Sequence, residues 1–309
     1  MDNNQIIAVF CYKRAEKLKE SIGALLTNPE AADSEIIFFC DGYKGEADKS
    51  GVLSTRAFID GLTGFKKVHK VYRPENFGIH KNFSEGLTYL STNHDSFIVV
   101  EDDVVVSDNF LRFMNDGLAF YKNQKSVFAI TGFCFPLKNI EQYEYDSAIH
   151  WRMCVYGWAS WSDRVRNVKF SNEDLNNIVK NSPGFKARLN KEGHDLYRLV
   201  QKQFKGNIST WDVQVQVYVS ENGKKVVYPV KSKTKNIGFD NQSSHTSGVN
   251  FLETTLDTSS KRAFNFCNEN ILNEEIIDQL RGPYKLPELI RRKIINESVK
   301  LGTKLKLFK

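Results

Sequence analysis

The sequence predicts an α/β fold in which a mostly parallel central sheet is flanked by helices and followed by a C-terminal helical tail. Strand-like and helical segments alternate over the first ~110 residues, which is the order of βαβ units. Three adjacent carboxylates, Glu101-Asp102-Asp103, directly follow the last strand of this series. Because ligands of parallel sheets collect beyond the carboxyl ends of the strands, these two observations together predict a ligand site at that edge.

Hydrophobic spacing defines the segments of the first half. Short apolar runs predict strands, and apolar residues three and four positions apart predict helices. In the first helix these positions are Leu18, Ile22, Leu25 and Leu26. No GxGxxG or P-loop is present, so a standard dinucleotide or triphosphate cradle is excluded. The predicted strands are 6–11, 35–40, 67–72 and 97–100, and the predicted helices are 15–26, 54–62 and 82–90.

The second half of the sequence is less regular. An aromatic-rich stretch at 151–161 is followed by a mostly helical pattern at 173–199. Residues 213–219 and 225–228 are strand-like, and a loop rich in Gly, Asn and Ser covers 234–247. From Asn270 onward we expect helices, interrupted at Gly282-Pro283 and at Pro287.

Length and composition limit the class of protein. A chain of 309 residues, 41% of them hydrophobic, can form one large α/β domain or two small ones. Its five cysteines are scattered without a CxxC pair, which favours buried free thiols in a reducing cytosol over disulfides or zinc ligands. The polar N-terminus argues against a signal peptide, and no stretch approaches the ~20 apolar residues of a spanning helix. We therefore expect a cytoplasmic protein.

The net charge of +6 is concentrated at the C-terminus. Residues 284–309 hold eight basic and two acidic side chains, which gives 8 − 2 = +6, so the rest of the chain is neutral. A nucleic-acid-binding protein would be expected to spread basic residues over a folded face, so we discount that class of partner.

The acidic triplet has two interpretations. Burying three unpaired carboxylates is costly, and their hard oxygen atoms suit Mg²⁺ or Mn²⁺. The alternative is a solvated loop after a strand. The apolar residues on both sides of the triplet, Phe97 to Val100 and Val104 to Val106, favour the cation site.

Several short motifs in order resemble the GT-A glycosyltransferases, which have a Rossmann-like fold. The similarity spans roughly Ile6 to His245 and extends in detail to N-acetylglucosaminyltransferase I and the bacterial family 2 sugar transferases. Each motif alone is weak, and the signal lies in their order and spacing. They are Val9-Phe-Cys-Tyr-Lys-Arg14, Phe39-Cys-Asp41, Val99-Val-Glu-Asp-Asp103, Tyr156-Gly-Trp158, Trp211-Asp212, and Thr234-Lys-Asn-Ile-Gly-Phe239 with Ser244-His245.

The resemblance implies a division of the chain. Residues 1–250 would form the GT-A catalytic domain and 251–283 an extension packed against it. Residues 284–309 would form a basic amphipathic tail, a kind of helix that lies on anionic membrane surfaces. The alternative for the tail is a helix packed on the domain with a solvated basic face.

The resemblance also implies roles for the strand-end residues. Arg14 would contact the nucleotide or diphosphate, and Asp41 the base or ribose of the nucleotide; the alternative for each is a surface salt bridge. In the acidic triplet, Glu101 would contact the donor sugar, Asp102 the ribose and Asp103 the metal, Mn²⁺ or Mg²⁺. One carboxylate is sufficient protein ligation for a metal that otherwise binds diphosphate and water.

Trp211-Asp212 would supply the remaining chemistry. Transfer with inversion needs a base that takes the proton of the acceptor hydroxyl, and the resemblance assigns this role to Asp212, with the Trp211 indole against the donor sugar. A carboxylate of ordinary pKa is ionised at pH 7. The alternatives are that Trp211 is a core residue and Asp212 a cap, or that Asp163 is the base.

Two further interpretations concern the walls of the site. Trp158 and Trp161 would form a wall for the acceptor and donor sugar, although aromatic rows are also common in cores. His245 follows a polar loop that in the family closes over the donor diphosphate. It could contact the metal or the phosphate, although a lone histidine usually does neither.

The resemblance therefore implies an inverting, metal-dependent hexosyl- or N-acetylhexosaminyltransferase. The donor would be a nucleotide-sugar, most simply a UDP-sugar, and the acceptor a hydroxyl of a lipid-linked glycan in bacterial surface polysaccharide synthesis (capsule, O-antigen or lipopolysaccharide). We expect the protein at the inner face of the cytoplasmic membrane. The alternatives are a nucleotidyltransferase acting on sugar phosphates, which normally has a Gly-rich loop after its first strand, and a non-catalytic glycan-binding module.

Overall fold

The computed structural model describes residues 5–238 and 253–306. Within them the chain folds around an eight-stranded, mostly parallel sheet flanked by helices and ends in a long helix, which confirms the predicted fold class. The strands are β1 (Ile6–Cys11), β2 (Glu35–Cys40), β3 (Lys67–Tyr72), β4 (Ser96–Glu101), β5 (Val104–Val106), β6 (Val127–Thr131), β7 (Ser147–His150), β8 (Trp158–Trp161), β9 (Lys225–Pro229) and β10 (Thr234–Asn236).

The helices alternate with the strands in the first half and cluster before β9 and at the C-terminus. They are α1 (Ala15–Leu26), α2 (Glu46–Asp60), α3 (Gly78–Asn93), α4 (Phe110–Phe120), α5 (Ser162–Val165), α6 (Asn172–Asn181), α7 (Phe185–Lys191), α8 (Leu196–Phe204), α9 (Asp212–Glu221), α10 (Glu274–Arg281) and α11 (Leu286–Lys306).

The strand order of the large sheet is β3-β2-β1-β4-β8-β6-β9-β7. Strands β3, β2, β1 and β4 are mutually parallel, and β6 is parallel to β9. Strand β8 runs antiparallel between β4 and β6, and β7 runs antiparallel to β9. The carboxyl ends of β1, β2 and β4 therefore meet at one edge of the sheet.

Alternate residues of β1 enter hydrophobic cores on opposite faces of the sheet. Ile7 and Val9 pack in one core with Leu18 of α1, and Ala8 and Phe10 pack in the other. Because both faces are covered by helices, the central strands are apolar throughout, as is typical of parallel sheets.

The prediction of a strand at 213–219 is wrong, since these residues belong to α9. The helix is buried on two sides. Val213 and Val217 pack with α7 and α8, and Val215 and Val219 pack in the core under the sheet. Each pair is four residues apart and shares a helix face. Because a helix covered on two sides has no polar face, its valines occur at every second position of the sequence. This alternation is the pattern of a strand, which explains the wrong prediction.

Other boundaries also differ from the predictions. Helix α2 begins at Glu46, eight positions before the predicted start at Ser54, because polar residues fill its first turns. Within the predicted loop, Thr234–Asn236 forms strand β10, which pairs antiparallel with β5. Pro287 does not interrupt the last helix, because it lies in the first turn, where no intrahelical N–H bond is lost.

The segment after residue 253 packs on the sheet domain through a buried ion pair. The Lys233 ammonium, after β9, donates to Asp257, and both side chains are almost fully buried. Asn109 also donates to the Asp257 carboxylate, at 3.1 Å. The division of the chain into a catalytic domain and an extension stays a prediction. Among the described residues, no helix has both the length and the apolar character needed to cross a bilayer.

Candidate active site

The acidic triplet lies on the turn between β4 and β5, at the carboxyl edge of the sheet. Glu101 is the last residue of β4 and pairs with Phe10 of β1. The Asp102 N–H donates to the Phe10 carbonyl at 3.1 Å, and the Ser21 hydroxyl of α1 donates to the Val104 carbonyl at 2.7 Å. These bonds fix the turn against β1 and α1, so the three acidic side chains are held in place by the sheet.

Arg14, on the loop between β1 and α1, contacts two of these carboxylates through one nitrogen. Its Nη2 donates to Oδ2 of Asp103 at 2.7 Å and also to Oδ1 of Asp102. Burial alone would lower the pKa of Arg14, but the negative charges of Asp102 and Asp103 outweigh burial and raise the pKa. The guanidinium therefore stays charged and offsets part of the cluster's negative charge.

The cluster nevertheless holds more negative than positive charge. The pKa of Asp102 is raised to about 6. Burial is the main cause and the charge of Asp103 adds to it, while Arg14 acts in the opposite direction. The pKa of Glu101 is well above its usual range because of burial and then the charges of Asp103, Asp102 and Asp212. Within residues 5–238 and 253–306, no group donates a hydrogen bond to the Glu101 carboxylate. Such an excess of carboxylate charge fits a cationic ligand.

The pairing of β5 with β10 adds a second side to Asp103. Asn236 lies opposite Val104 in this pairing, and its Nδ2 is 3.3 Å from Oδ1 of Asp103. The Ile237 N–H donates to the Asp103 carbonyl at 2.8 Å. A Cβ atom at Gly238 would overlap the Asp103 carboxylate, so a larger residue here would displace that side chain.

Asp212, from the far half of the chain, acts electrostatically on Glu101. It is the first residue of α9, and the Thr210 hydroxyl donates to its Oδ1. Its charge contributes to the raised pKa of Glu101. The structure thus brings Arg14 together with Glu101, Asp102 and Asp103, and the charge of Asp212 reaches this group.

The donor atoms of this cluster fit a divalent cation by their chemistry. Carboxylate oxygens are the ligands that Mg²⁺ and Mn²⁺ prefer, and the single guanidinium leaves negative charge uncompensated. Within the described part of the chain, no three His, Cys, Asp or Glu side chains form a ready-made cage.

The hydrogen bonds of the Asp41 carboxylate argue against its predicted contact with the nucleotide. The carboxylate of Asp41 accepts the backbone N–H groups of Gly42, Phe77 and Gly78 at 2.8 to 2.9 Å, and Asn76 Nδ2 lies 3.2 Å away. A carboxylate has about four lone-pair sites, so these donors saturate it. Asp41 fixes the start of α3 against the end of β2 and is not the surface salt bridge that was the alternative.

The predicted sugar contacts of Trp211 and Trp158 are also wrong. Trp211 is 1% exposed and Trp158 is fully buried. The Trp211 ring stacks on Phe83 with centroids 4.5 Å apart and on Trp158 at 5.8 Å. Both indoles are therefore core residues, as the alternative interpretation held, and neither offers a free face to a sugar ring.

Trp161 and Asp163 lie at the wrong end of the sheet. Trp161 pairs with Ser96 at the start of β4, five residues and thus roughly 17 Å from Glu101 along an extended strand. It is buried under the Arg164 guanidinium. Asp163 is half exposed and bonds Lys125 at 2.6 Å. Trp161 therefore cannot line the site, and Asp163 cannot act as its base.

His245 lies outside the described residues, so the structure does not test it. Sequence reasoning missed three neighbours of the carboxylates, which are Thr210, Asn236 and Tyr12. The Tyr12 N–H lies 3.4 Å from Oδ2 of Asp102, and the Tyr12 hydroxyl bonds Asp48 at 2.7 Å. Asn236 lies within the motif that starts at Thr234, and its place on a strand was the signal that could have identified it. Thr210 lies two residues before Asp212, and that spacing was its only signal.

Comparisons with known proteins find only distant similarity to solved structures. No family model matches the sequence, and no curated protein shows a significant match. Among solved structures, one of S. aureus TarS is 9% identical with a TM-score of 0.42, covering 76% of this chain and 37% of that one. A second, of TarS residues 1–349, is 9% identical with a TM-score of 0.40, covering 74% and 59%. The chain thus spans less than two thirds of either structure.

Proposed function

We propose that this protein is an inverting, metal-dependent glycosyltransferase that moves a sugar from a nucleotide-sugar, a UDP-sugar in the simplest case, to a glycan hydroxyl. One observation supports this above all others. Arg14 and the acidic triplet, from separate parts of the chain, meet at the carboxyl edge of the sheet, and the charge of Asp212 contributes to the raised pKa of Glu101 there. A cation, an anion-binding guanidinium and a separate carboxylate are the groups that such a transfer requires.

In this proposal the donor binds over the acidic turn. Arg14 uses only Nη2 on the two aspartates within the described residues, so its other donors remain for diphosphate oxygens. Asp102 would accept from the ribose and Glu101 from hydroxyls of the donor sugar. The high pKa of Glu101 fits a group that awaits hydrogen-bond donors.

Asp103 would hold the Mn²⁺ or Mg²⁺. A bound cation at this carboxylate would stabilise the negative charge of the departing diphosphate. Asn236 and Gly238 keep this carboxylate in a narrow space beside the strand pairing.

Asp212 would take the proton of the acceptor hydroxyl while that oxygen attacks the anomeric carbon from the face opposite the leaving group. Oδ1 of Asp212 accepts from Thr210, which leaves Oδ2 for the acceptor. Its place on α9, apart from the turn that would hold the diphosphate, suits a displacement with inversion.

The acceptor would be a lipid-linked glycan of bacterial surface polysaccharide synthesis, reached from the membrane surface. Helix α11 supports this part of the proposal. Its aliphatic residues Leu286, Ile290 and Ile294 are 52%, 51% and 62% exposed and recur every four positions, so they share one face. Arg291 and Lys293 lie beside this face and are exposed, a pattern suited to an anionic membrane surface.

Calorimetric titration of the whole protein with UDP, with and without Mn²⁺, tests the proposal. A glycosyltransferase should bind UDP much more tightly with Mn²⁺ and hydrolyse one of UDP-glucose, UDP-galactose or UDP-N-acetylglucosamine slowly. A nucleotidyltransferase would instead release pyrophosphate from UTP and a sugar phosphate. A glycan-binding module would bind no nucleotide. Either of the last two results would overturn the proposal.

A further inference from the structure

The segment that joins α8 to α9 is fixed by internal hydrogen bonds. At the end of α8, the Asn207 N–H donates to the Lys202 carbonyl at 2.9 Å, and Gly206 adopts a left-handed conformation with φ of 68°. This is a usual way to end a helix with glycine. The turn directs the chain back along α8 toward the start of α9, where Asp212 lies.

Gln203 of α8 then clamps Thr210 by its main chain. The side-chain amide of Gln203 accepts the Thr210 N–H at 3.2 Å and donates to the Thr210 carbonyl at 3.0 Å. Gln203 is almost fully buried. A buried amide left without partners is costly, so this double bond fixes the position of Thr210 relative to α8.

Thr210 in turn holds the carboxylate of Asp212. The Thr210 hydroxyl donates to Oδ1, and this is the one hydrogen bond made by the Asp212 side chain within residues 5–238 and 253–306. Oδ2 is therefore the oxygen that remains available. This hydrogen bond selects one rotamer of the Asp212 side chain.

We propose that Gln203 and Thr210 are positioning residues that hold Asp212 ready to accept a proton through Oδ2. This inference rests on the proposed role of Asp212 as the base. Rates of oriented reactions depend steeply on geometry, and a misplacement of ~1 Å can cost about 10²-fold. These hydrogen bonds start from a buried helix residue and end at Oδ1 of Asp212, so they hold the carboxylate whose Oδ2 would react.

The test uses Thr210→Val, which keeps the shape of the side chain and removes the hydroxyl. Hydrolysis of the best UDP-sugar of the donor panel, followed as UDP release, should lose roughly 10-fold or more in kcat, as expected for one hydrogen bond to a charged group. KM for the donor should not change, and Thr210→Ser should restore kcat.

Ser209→Ala is the matched control, since Ser209 is an exposed hydroxyl in the same segment and should have no effect. Gln203→Met should reduce kcat in the same sense, with thermal unfolding measured in parallel because this residue is buried. A crystal structure of Thr210→Val gives a readout independent of turnover. The Asp212 carboxylate should occupy another rotamer or several rotamers.

Wild-type kcat in Thr210→Val, or an unchanged Asp212 rotamer, would overturn the inference. Asp212→Asn separates this failure from a failure of the proposed function. If Asp212→Asn is inactive while Thr210→Val behaves as wild type, the positioning role alone is wrong. If Asp212→Asn retains wild-type turnover, or no UDP-sugar is turned over, the base assignment fails and the positioning role fails with it.

Discussion

Nη2 of Arg14 lies 2.7 Å from Oδ2 of Asp103, the carboxylate that we propose holds the metal. The Arg14 guanidinium therefore occupies a position beside Oδ2 of Asp103. The contact offsets part of the carboxylate charge, which would otherwise be left uncompensated near Asp102 and Glu101. We expect Arg14 to shift its hydrogen bonds toward the diphosphate when metal and donor bind.

The first prediction concerns Asp103. Asp103→Asn should lower turnover of the UDP-sugar by roughly 10²–10³-fold or more, the usual effect of losing about 3–4 kcal/mol of electrostatic stabilisation. Mn²⁺-dependent binding of UDP should be lost as well, as measured by calorimetry. Circular dichroism should show an intact fold, since asparagine keeps the shape of the side chain.

Asp116→Asn, which changes a surface carboxylate paired with Arg112, serves as the matched control and should retain activity. Removal of divalent metal by EDTA should reproduce the Asp103→Asn phenotype in the wild-type protein. Full turnover in EDTA would contradict the assignment of the metal to this site.

The second prediction concerns Asp212. Asp212→Asn should lower kcat by about 10²–10⁴-fold, the usual contribution of a positioned general base. Affinity for the donor should change little, because in the proposal Arg14 and the acidic turn hold the diphosphate and Asp212 does not. NMR of the transfer product should show the anomeric configuration inverted relative to the donor. Retention of configuration would exclude the role of Asp212 as the base.

Most of the sheet could be predicted because local patterns determine it. The spacing of Leu18, Ile22 and Leu25 identifies one face of α1, and the apolar runs of β1 and β4 need no tertiary information. Glu101 to Asp103 could be placed at the carboxyl edge because all parallel strands in such units end on the same side.

The errors come from residues whose surroundings are set by distant parts of the chain. Trp158 and Trp161 have the composition of a sugar-binding wall, but the insertion of β8 between β4 and β6 buries both. The saturation of Asp41 depends on the start of α3, about 37 positions away. The pairing of Arg14 with Asp103 spans 89 positions, and no local pattern in the sequence encodes it.

The third prediction concerns the buried pair of Lys233 and Asp257. Asp257→Asn should destabilise the protein by about 3–5 kcal/mol, because it leaves the Lys233 charge buried without a partner. Urea unfolding measures the change. Adding Lys233→Met to the same variant should restore much of the stability, since the unpaired charge is removed. If the double variant is as unstable as the single one, the buried charge is not the cause.

The fourth prediction concerns stability at low pH. Burial, with the charges of Arg281 and Arg152, lowers the pKa of His150 to about 3. In the unfolded chain a histidine takes up its proton near pH 6.5. Between these two values the unfolded state binds more protons, so the free energy of unfolding should fall as the pH decreases, by about 1.4 kcal/mol per pH unit.

Urea unfolding at pH 7 and pH 5 tests this, and about 2 kcal/mol of the loss should come from His150 alone. His150→Gln should show a correspondingly smaller difference between the two pH values. His69→Gln is the control, since His69 is a partly exposed histidine paired with Glu35. An equal pH dependence in wild type and His150→Gln would exclude His150 as the source.

The last prediction concerns helix α11. Replacing Leu286, Ile290 and Ile294 together by serine should release the protein from liposomes that contain anionic lipid, while turnover of a soluble acceptor analogue persists. The physical reason is that these exposed aliphatic residues would insert beside basic residues worth about 1 kcal/mol each near an anionic surface. High salt should weaken liposome binding of the wild-type protein, because screening acts within a Debye length of ~8 Å at physiological ionic strength.

Truncation of this tail must respect the residues before it. The Tyr284 ring stacks with the Arg152 guanidinium at 3.4 Å, and its carbonyl accepts the His194 N–H at 3.1 Å. Deletion should therefore begin at Leu286, since loss of Tyr284 would disturb the folded domain.

Leu53→Ser, which removes an equally exposed leucine from α2, is the control and should leave liposome binding unchanged. If the serine variant still sediments with anionic liposomes, another surface of the protein contacts the membrane, and if the truncated protein unfolds, α11 packs on the domain instead.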